Sequence, residues 1–342
     1  MMNIDSDYLY INCNIGCNSL SGYWSELQKI QDIKNSGIIP DMMMDLSLVK
    51  VNVPLYKYII SEMQIPVGTV FSYIPFSKKN GLVWDECKEY LLQLAHDGVS
   101  FVTVHFTANL KLLELAKSRN VPTTSRGGGI CLYDMKLNGR TVNLFIEHID
   151  EIIDVALKYG MTISLGTTFR PGTIFDACDE VHIEETRQQL EVCRYLQSKG
   201  VNVIVENIGH ITLDRLEQHA VLLREFKAPI MPLGPIPTDS AIGQDHISAA
   251  IGATMSAYWG VANIINCVTR NEHLIADITS EVMIESIKAM KVVTQAINIA
   301  RGKSEALQIE KKISDKRRQH LSCMISEKTC KRCNDVCPLR IL

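Results

Sequence analysis

The feature that most constrains the fold is an alternation of short apolar runs with longer amphipathic stretches. Amphipathic stretches such as 84–98, 146–160 and 183–200 separate many of the runs. This alternation predicts a parallel sheet whose strands are joined by helices. Most of the runs are apolar throughout, which indicates strands that are buried on both faces. The runs lie at 9–14, 41–47, 65–70, 101–106, 121–126, 162–167, 201–207, 230–234 and 262–269.

Polar and charged side chains follow the ends of nearly all of these runs. A site assembled from many strand ends is the arrangement of a (β/α)8 barrel, so the sequence favours an α/β fold of the TIM-barrel type over an open, doubly wound sheet. Nine runs are one more than such a barrel needs, and we expect either the first run or 230–234 to lie outside the ring. The side chains are Asn14, Asp45, Tyr73, His105, Ser125, Arg126, Arg170, Glu206, His210, Glu272 and His273.

The pattern changes after residue 275 and predicts three parts. We expect a barrel catalytic domain at 1–275, a C-terminal helical region at 276–321 and a cysteine-rich, cluster-binding tail at 322–342. Apolar residues recur at helical spacing over 279–301. The stretch 303–320 is far more charged, which is typical of a solvated helix.

The composition excludes some classes of partner. Of 342 residues, 46% are hydrophobic and 21% are charged, which suits one large globular domain with an appendage. The net charge of −3 gives no general attraction to nucleic acid or to an anionic membrane. No apolar run reaches the ~18 residues that a membrane span needs, and the first residues lack the pattern of a signal peptide. We therefore expect a cytoplasmic protein with neither nucleic acid nor membrane as a partner.

Most of the 11 cysteines lie singly within apolar segments, as Cys131, Cys178, Cys193 and Cys267 do. Their number is odd, which does not suit a framework of disulfides. The pattern is typical of reduced, buried thiols in a cytosolic protein.

The tail differs, because three of its cysteines form the motif Cys330-x2-Cys333-x3-Cys337. Three thiolates can hold a 4Fe-4S cluster with one iron open to a substrate or cofactor. Together with Cys323, four thiolates could instead hold a structural zinc or a cluster that serves electron transfer alone. The spacing leaves these alternatives open.

Two loops offer cations and glycines for binding an anion. Ser125-Arg126 is followed by three glycines, and Arg170 is followed by a proline and a glycine. Glycines let backbone N–H groups approach an anion, and arginine adds a bidentate donor. Either loop alone fits an ordinary turn, but two such loops at one barrel mouth favour a phosphate site, with the N–H groups of Gly127 and Gly128 as further donors.

Two histidines follow neighbouring strand ends. His210 lies four residues after Glu206, and His273 follows Glu272. Two imidazoles in this arrangement could hold one divalent metal with open positions, although a lone loop histidine more often makes only hydrogen bonds. Asp245, in the loop between them, fits an ordinary helix N-cap.

Taken together, these motifs resemble the phosphomethylpyrimidine synthase family of radical S-adenosylmethionine (SAM) enzymes. The resemblance is collinear and covers nearly the whole chain. The matching stretches are INCNIG, MMMDLS, IPVGTVFSY, FVTVHF, SRGGG, SLGTTFRPG, VENIGH, LGPIPTDSAIGQDHISAAIGA, VTRNEHL and the terminal cysteine cluster.

The resemblance implies a (β/α)8 barrel, a C-terminal region that helps to form a homodimer, and a mobile tail that carries the 4Fe-4S cluster. It implies aminoimidazole ribotide as the substrate and the reductive cleavage of SAM to an adenosyl radical, with an electron donor such as a flavodoxin or ferredoxin. It places His210 and His273 on a mononuclear divalent metal, zinc or iron, and Cys330, Cys333 and Cys337 on the cluster. It places on the substrate Asn14, Met44, Tyr73, His105, Ser125, Arg126, Gly127, Arg170 and Glu206.

The chain departs from the family pattern in its substrate shell. Thr167 stands where the family has an acid, and Met231 lies near the place of a tyrosine. The cluster spacing ends in x3 where the family usually has x4. A changed shell beside retained metal and cluster ligands favours the 5-hydroxybenzimidazole synthase branch, which makes a cobamide lower-ligand precursor, alone or with a paralogous subunit. The alternatives are phosphomethylpyrimidine synthase itself, for thiamin, and a non-catalytic ribotide-binding paralogue.

Overall fold

The computed structural model describes residues 4–5, 7–325 and 330–341, and its core is a parallel sheet of eight strands in the order β7-β6-β5-β4-β3-β2-β1-β8. Every pair of neighbours in this order is parallel. The strands are β1 Tyr10–Ile15, β2 Met42–Asp45, β3 Val67–Val70, β4 Phe101–Val104, β5 Thr162–Leu165, β6 Val203–His210, β7 Ile230–Ile236 and β8 Ile264–Asn266.

Hydrogen bonds between the two terminal strands of this order nearly close the sheet into a barrel. The N–H of Asn263, just before β8, donates to the carbonyl oxygen of Ile230 on β7 at 2.9 Å. The side-chain amide of Asn266 on β8 donates to the carbonyl oxygen of Pro232 at 2.9 Å. The predicted TIM-type barrel is therefore confirmed.

Large apolar side chains fill the barrel interior, as expected for strands without polar alternation. Met44, Phe101, Ile204 and Met231 belong to one buried cluster that draws on several strands. Gly68 on β3 is required there, because a Cβ at this position would lie 2.2 Å from the Phe101 ring. A side chain at residue 68 would displace the ring that fills the centre.

Helices follow most of the strands and cover the outside of the barrel. The predicted amphipathic stretches 84–98, 146–160 and 183–200 are confirmed as α3, α7 and α8. The helices are α1 Tyr23–Ser36, α2 Leu55–Tyr58, α3 Trp84–His96, α4 Leu110–Ala116, α5 Arg126–Leu137, α6 Leu144–Glu147, α7 Ile149–Tyr159, α8 Glu180–Ser198, α9 Leu213–Leu223, α10 Asp245–Tyr258, α11 Ser280–Ala300, α12 Ser304–Gln319 and α13 Pro338–Ile341.

The run that is not a strand is 121–126, so the expectation that the first run or 230–234 lies outside the ring is wrong. Both of those runs form barrel strands. The N–H of Val121 donates to the Asp176 carboxylate at 2.9 Å, and the Thr123 hydroxyl donates to the Thr168 carbonyl. Val121 and Thr123 thus bond to Asp176 and Thr168 instead of forming the hydrogen bonds between neighbouring strands. Pro122 has no N–H group that could donate to a neighbouring strand.

The chain divides into two compact units, Met1–Thr294 and Gln295–Leu342. The division falls inside α11, and the predicted boundaries at 275 and 321 stay a prediction. The first unit contains the barrel. The second contains α12, whose residues are nearly all exposed, and the tail. Among the residues that the structure describes, no helix is long and apolar enough to cross a membrane.

Candidate active site

A cavity of about 830 Å³ opens at the C-terminal ends of β1 and β8. Asn14 and Arg126 line it, together with Cys267 and Glu272. Its volume lies within the usual range for pockets that bind small ligands. The carboxyl ends of the strands carry the active site in barrel enzymes, so this cavity marks the candidate active site.

His105, directly after β4, is held between two glycines. A Cβ at Gly127 would lie 2.2 Å from His105 Cε1, and a Cβ at Gly166 would lie 2.7 Å from its Nε2. Nδ1 is buried and has no hydrogen-bond partner among the described residues. Burial, assisted by the positive charge of Arg170, lowers the pKa of His105 to about 3. The imidazole is therefore neutral at physiological pH, and within the described part of the chain its Nδ1 lacks the partner that a buried nitrogen usually has.

The N-terminus of α5 forms the first predicted anion-binding loop. Ser125 caps this helix, because its Oγ accepts the N–H of Gly128 at 3.1 Å. The expectation that the N–H of Gly128 binds phosphate is therefore corrected, because this N–H donates to Ser125. The N–H of Gly127 lies in the first turn of the helix, where backbone N–H groups have no partner within the helix. The exposed guanidinium of Arg126 lies over the Tyr73 ring, 5.6 Å from its centroid. A helix N-terminus with an arginine beside it is suited to an anion.

Arg170, from the second predicted loop, converges on the same region. Burial raises the pKa of Tyr73, and the positive charges of Arg126 and Arg170 oppose this. Burial lowers the pKa of Arg170, and the charge of Glu206 opposes this. Arg170 Nε is buried and unpartnered within the described part of the chain. Two cations, a phenol and an imidazole thus share one mouth of the barrel.

Glu206 on β6 is fixed by hydroxyls from the two preceding strands. Its Oε1 accepts from Thr103 Oγ1 at 2.7 Å and from Ser164 Oγ at 2.8 Å. No hydrogen bond to Oε2 is formed by a described residue, so this oxygen can accept from a ligand. On the opposite wall, Asn14 and Met44 are register partners on β1 and β2.

The two predicted metal histidines lie together, with ring centroids 5.0 Å apart. Nδ1 of His210 donates to Asp239 Oδ1 at 2.7 Å, and Nδ1 of His273 donates to Asp245 Oδ1 at 2.7 Å. Burial lowers the pKa of His210 although Asp239 opposes this. A carboxylate on Nδ1 leaves the lone pair on Nε2, which is the usual arrangement of a metal-ligating histidine. The pair therefore fits a divalent metal.

Asp239 and Asp245, the partners of the two histidines, are the residues of the candidate site that sequence reasoning missed. Asp245 is the first residue of α10 and makes no cap, since the N-cap position is Gln244. The interpretation as an N-cap is therefore wrong, and its buried carboxylate serves His273 instead. The signal that could have found both acids is that two metal-ligating histidines each need an acceptor for Nδ1.

The substituted positions are both buried. The Thr167 hydroxyl has no hydrogen-bond partner among the residues that the structure describes, and Met231 belongs to the barrel core cluster. At Thr167 the mouth therefore presents an uncharged hydroxyl, and Met231 fills space in the barrel.

The tail cysteines belong to the second compact unit. Cys330 and Cys337 are half-buried, and Cys333 is exposed. Cys333 and Cys337 flank the single helical turn Asn334–Val336. Three cysteines within eight residues fit the predicted cluster ligands.

A parallel eight-stranded barrel with a polar, cationic mouth at its strand ends defines the chain as a TIM-barrel enzyme. The model of the Radical SAM ThiC family matches residues 6–324, and the chain belongs to this family. It is thus a radical SAM lyase, and membership implies SAM and an iron–sulfur cluster.

Curated relatives support the same assignment. Phosphomethylpyrimidine synthase of Carboxydothermus hydrogenoformans is 35% identical over 308 residues, which cover 86% of this chain and 71% of the relative. The enzyme of the same name from Thermotoga sp. strain RQ2 is 34% identical over 316 residues, covering 89% and 73%. Among solved structures, dihydropteroate synthase of Xanthomonas albilineans has a TM-score of 0.48 at 10% identity, over 84% of this chain and 93% of that one. That likeness is too weak to support an inference about function.

Proposed function

We propose that the chain converts aminoimidazole ribotide to a phosphomethylpyrimidine by radical SAM chemistry, since phosphomethylpyrimidine is the product that the names of its relatives give. The observation that carries the proposal is the convergence of Arg126, Arg170, Tyr73 and His105 at one barrel mouth. The ribotide offers a phosphate, sugar hydroxyls and an imidazole, and these need cations, acceptors and a flat polar surface. The mouth supplies all three.

Each group has a part that its surroundings suit. Arg126 and the N–H of Gly127 are placed to hold the phosphate at the start of α5, with Arg170 as the second cation. Glu206, fixed through one oxygen, offers the other to a sugar hydroxyl or an amine. Neutral His105 can exchange a hydrogen bond with the substrate without adding charge. Asn14 and Met44 complete the opposite wall.

The cofactors are assigned by donor chemistry. Cys330, Cys333 and Cys337 would hold the 4Fe-4S cluster, which supplies the electron that cleaves bound SAM. His210 and His273 would hold the divalent metal, zinc or iron, through Nε2. The electron would come from a donor such as a flavodoxin or ferredoxin, and the functional form would be a homodimer or a heteromer with a paralogue.

A second candidate, synthesis of 5-hydroxybenzimidazole from the same ribotide, is favoured by one observation. The family acid is replaced by Thr167, whose buried hydroxyl has no described partner, and Met231 lies near the place of a tyrosine. The first change removes a negative charge and a proton acceptor, and the second removes a proton donor. Neither affects the cluster ligands, so both would act after radical formation.

The test is anaerobic incubation of the full chain with aminoimidazole ribotide, SAM and a reductant, followed by product identification by mass. We expect a phosphorylated aminopyrimidine; hydroxybenzimidazole would support the second candidate. SAM cleavage without any ribotide-derived product would contradict both, unless a paralogous subunit restores it. The double variant Thr167→Asp, Met231→Tyr is the matched comparison: it should leave an aminopyrimidine product unchanged, and it should shift a hydroxybenzimidazole product toward the pyrimidine.

A further inference from the structure

A second group of metal-ligating side chains lies outside the residues described so far. Cys178 follows the helical turn Ile174–Asp176, His182 lies in the first turn of α8, and His219 lies on α9. One ligand atom from each of the three residues lies within 4.8 Å of the others. The structure therefore corrects the interpretation of Cys178 as an isolated buried thiol: it is only half-buried and faces two imidazoles.

The hydrogen bonds of His219 fix which of its nitrogens carries the lone pair. Asn207 Oδ1 accepts the N–H of Ile208, while its Nδ2 donates to Gln189, so the orientation of this amide is determined. Nε2 of His219 lies 3.0 Å from the same Oδ1 and must therefore be the protonated nitrogen. Nδ1 is left with the lone pair, and Asn207 acts on this imidazole as the acceptors behind metal-ligating histidines do.

The second imidazole, that of His182, accepts a hydrogen bond from the backbone. The backbone N–H of Cys178 donates to Nδ1 of His182 at 3.1 Å, so this Nδ1 also carries a lone pair. Nε2 of His182 is buried and makes no hydrogen bond within the described part of the chain. Since Nδ1 accepts, Nε2 carries the proton of the neutral ring, and Nδ1 is the nitrogen that a metal could take. The two rings face each other, with centroids 4.2 Å apart.

The thiol itself is not committed to another role. Among the described residues, the hydrogen bond of Cys178 Sγ is a long one, 3.7 Å, to the carbonyl oxygen of Arg215. Its backbone has a φ of 58°, in the left-handed region that a residue with a side chain rarely adopts. Residues held in this conformation cluster at ligand and switch sites, where the surroundings maintain the strain.

We propose that Cys178, His182 and His219 bind one zinc ion, through one thiolate and the two Nδ1 atoms, with a fourth position for water. A thiolate with two imidazoles is a donor set of the kind that Zn²⁺ takes and that Mg²⁺ and Ca²⁺ avoid. Tetrahedral bond lengths place such ligand atoms about 3.4–3.6 Å apart. The structure has one ligand atom of each residue within 4.8 Å of the others, so the ligands must draw closer wherever they exceed the tetrahedral spacing. The metal would replace the contact between His182 and the Cys178 N–H.

The ion would stabilise the position of the segment 171–178, which follows Arg170. This segment already donates the N–H of Ile174 to Asp239, the acceptor of His210, and binds Val121 through Asp176. Cross-linking Cys178 to α8 and α9 would fix its far end. The role is structural and does not depend on which product the enzyme makes.

The test uses a full-length background that lacks the other expected ligands, with His210 and His273 changed to Ala and the cysteines at 330, 333 and 337 changed to Ser. We expect this protein to bind one equivalent of Zn²⁺, with a rise in Tm. With Co²⁺ it should show a thiolate-to-metal charge-transfer band. Cys178→Ser should abolish the band. His219→Gln, which keeps a donor for Asn207, should weaken Zn²⁺ binding at least ~10-fold, on the scale of losing one coordinating group.

Cys193→Ser is the matched control, because Cys193 is a buried thiol on α8 outside the cluster. It should leave both the band and the Zn²⁺ stoichiometry unchanged. Circular dichroism identifies any variant that fails to fold, and His182→Gln provides an independent replacement. No Zn²⁺ uptake by the folded background, or uptake that survives in folded Cys178→Ser and His219→Gln, would overturn the proposal.

Discussion

Substitution of Gly127 by alanine tests the packing that positions His105. The new Cβ would lie 2.2 Å from His105 Cε1 and 2.5 Å from Nδ1. The ring would have to move by about 1 Å to reach an ordinary contact, and Gly166 closes its other face. Overpacking of this kind costs roughly 1–3 kcal/mol. A displacement of about 1 Å at a reacting site can lower turnover on the order of 10²-fold.

Gly129→Ala is the matched control, since it lies two residues along the same helix and a Cβ there has nothing within 4 Å. A glycine within a helix costs roughly 0.5–1 kcal/mol relative to alanine, so this variant should be neutral or slightly more stable. Denaturant unfolding and ribotide turnover are measured for both. We expect Gly127→Ala to unfold with about 1–3 kcal/mol less free energy than Gly129→Ala and to turn over far more slowly. Equal stability and equal turnover in the two variants would refute the packing argument.

Further predictions address the other groups. Arg126→Ala should weaken ribotide binding at least ~10-fold in calorimetry, because a charge-assisted hydrogen bond contributes roughly 1.5–3 kcal/mol, and equal affinity for the dephosphorylated riboside would contradict a phosphate site. Asp245→Asn should weaken metal binding by roughly 10–100-fold in chelator competition, because His273 Nδ1 loses its carboxylate acceptor. Unchanged affinity would show that this carboxylate does not contribute to metal binding. The pKa of His105 is about 3 in the folded chain and about 6.5 in the unfolded chain. Between these pH values the unfolded chain binds a proton that the folded chain does not. The free energy of unfolding should therefore fall as the pH drops from about 6.5 towards 3, by at most ~1.4 kcal/mol per pH unit from this residue. His105→Gln should flatten that slope, and an unaltered slope would count against it. Replacing the three cysteines between 330 and 337 by Ala should abolish the visible absorption of the reconstituted cluster, while Cys323→Ala should retain it.

The sequence predicts the barrel well, because the pattern of buried strands and amphipathic helices is local. The run 121–126 shows where this reasoning fails. Its apolar start and β-branched residues satisfy the pattern of a strand, but its backbone N–H group at Val121 is taken by Asp176, a residue 55 positions away. The competing partner is visible only after the chain has folded, so propensity alone counts one strand too many.

The candidate site is predicted in part for a similar reason. The residues at strand ends could be found, since parallel strands deliver them to one mouth. The acceptors that orient the two histidines could not, because Asp239 and Asp245 reach His210 and His273 across 29 and 28 residues. At the sequence level Asp245 satisfies the rule for a helix cap, and that local rule hides its tertiary partner.

The same limit explains why Cys178, His182 and His219 were not recognised together. Cys178 and His182 are four residues apart, a spacing that would place two ligands on one helix face, but α8 begins only at Glu180 and Cys178 precedes it with a φ of 58°. The third residue, His219, lies on the next helix, 37 residues after His182. Only the packing of α8 and α9 side by side on the sheet brings the centroids of the two imidazoles to 4.2 Å. Each residue, taken singly, suits an ordinary core position. What distinguishes them is the pattern of hydrogen bonds. Asn207 leaves the lone pair of His219 on Nδ1, the Cys178 N–H marks the lone pair of His182 on Nδ1, and a thiol lies close to both residues. A metal measurement on the folded chain is therefore the observation that separates a packed core from a binding site.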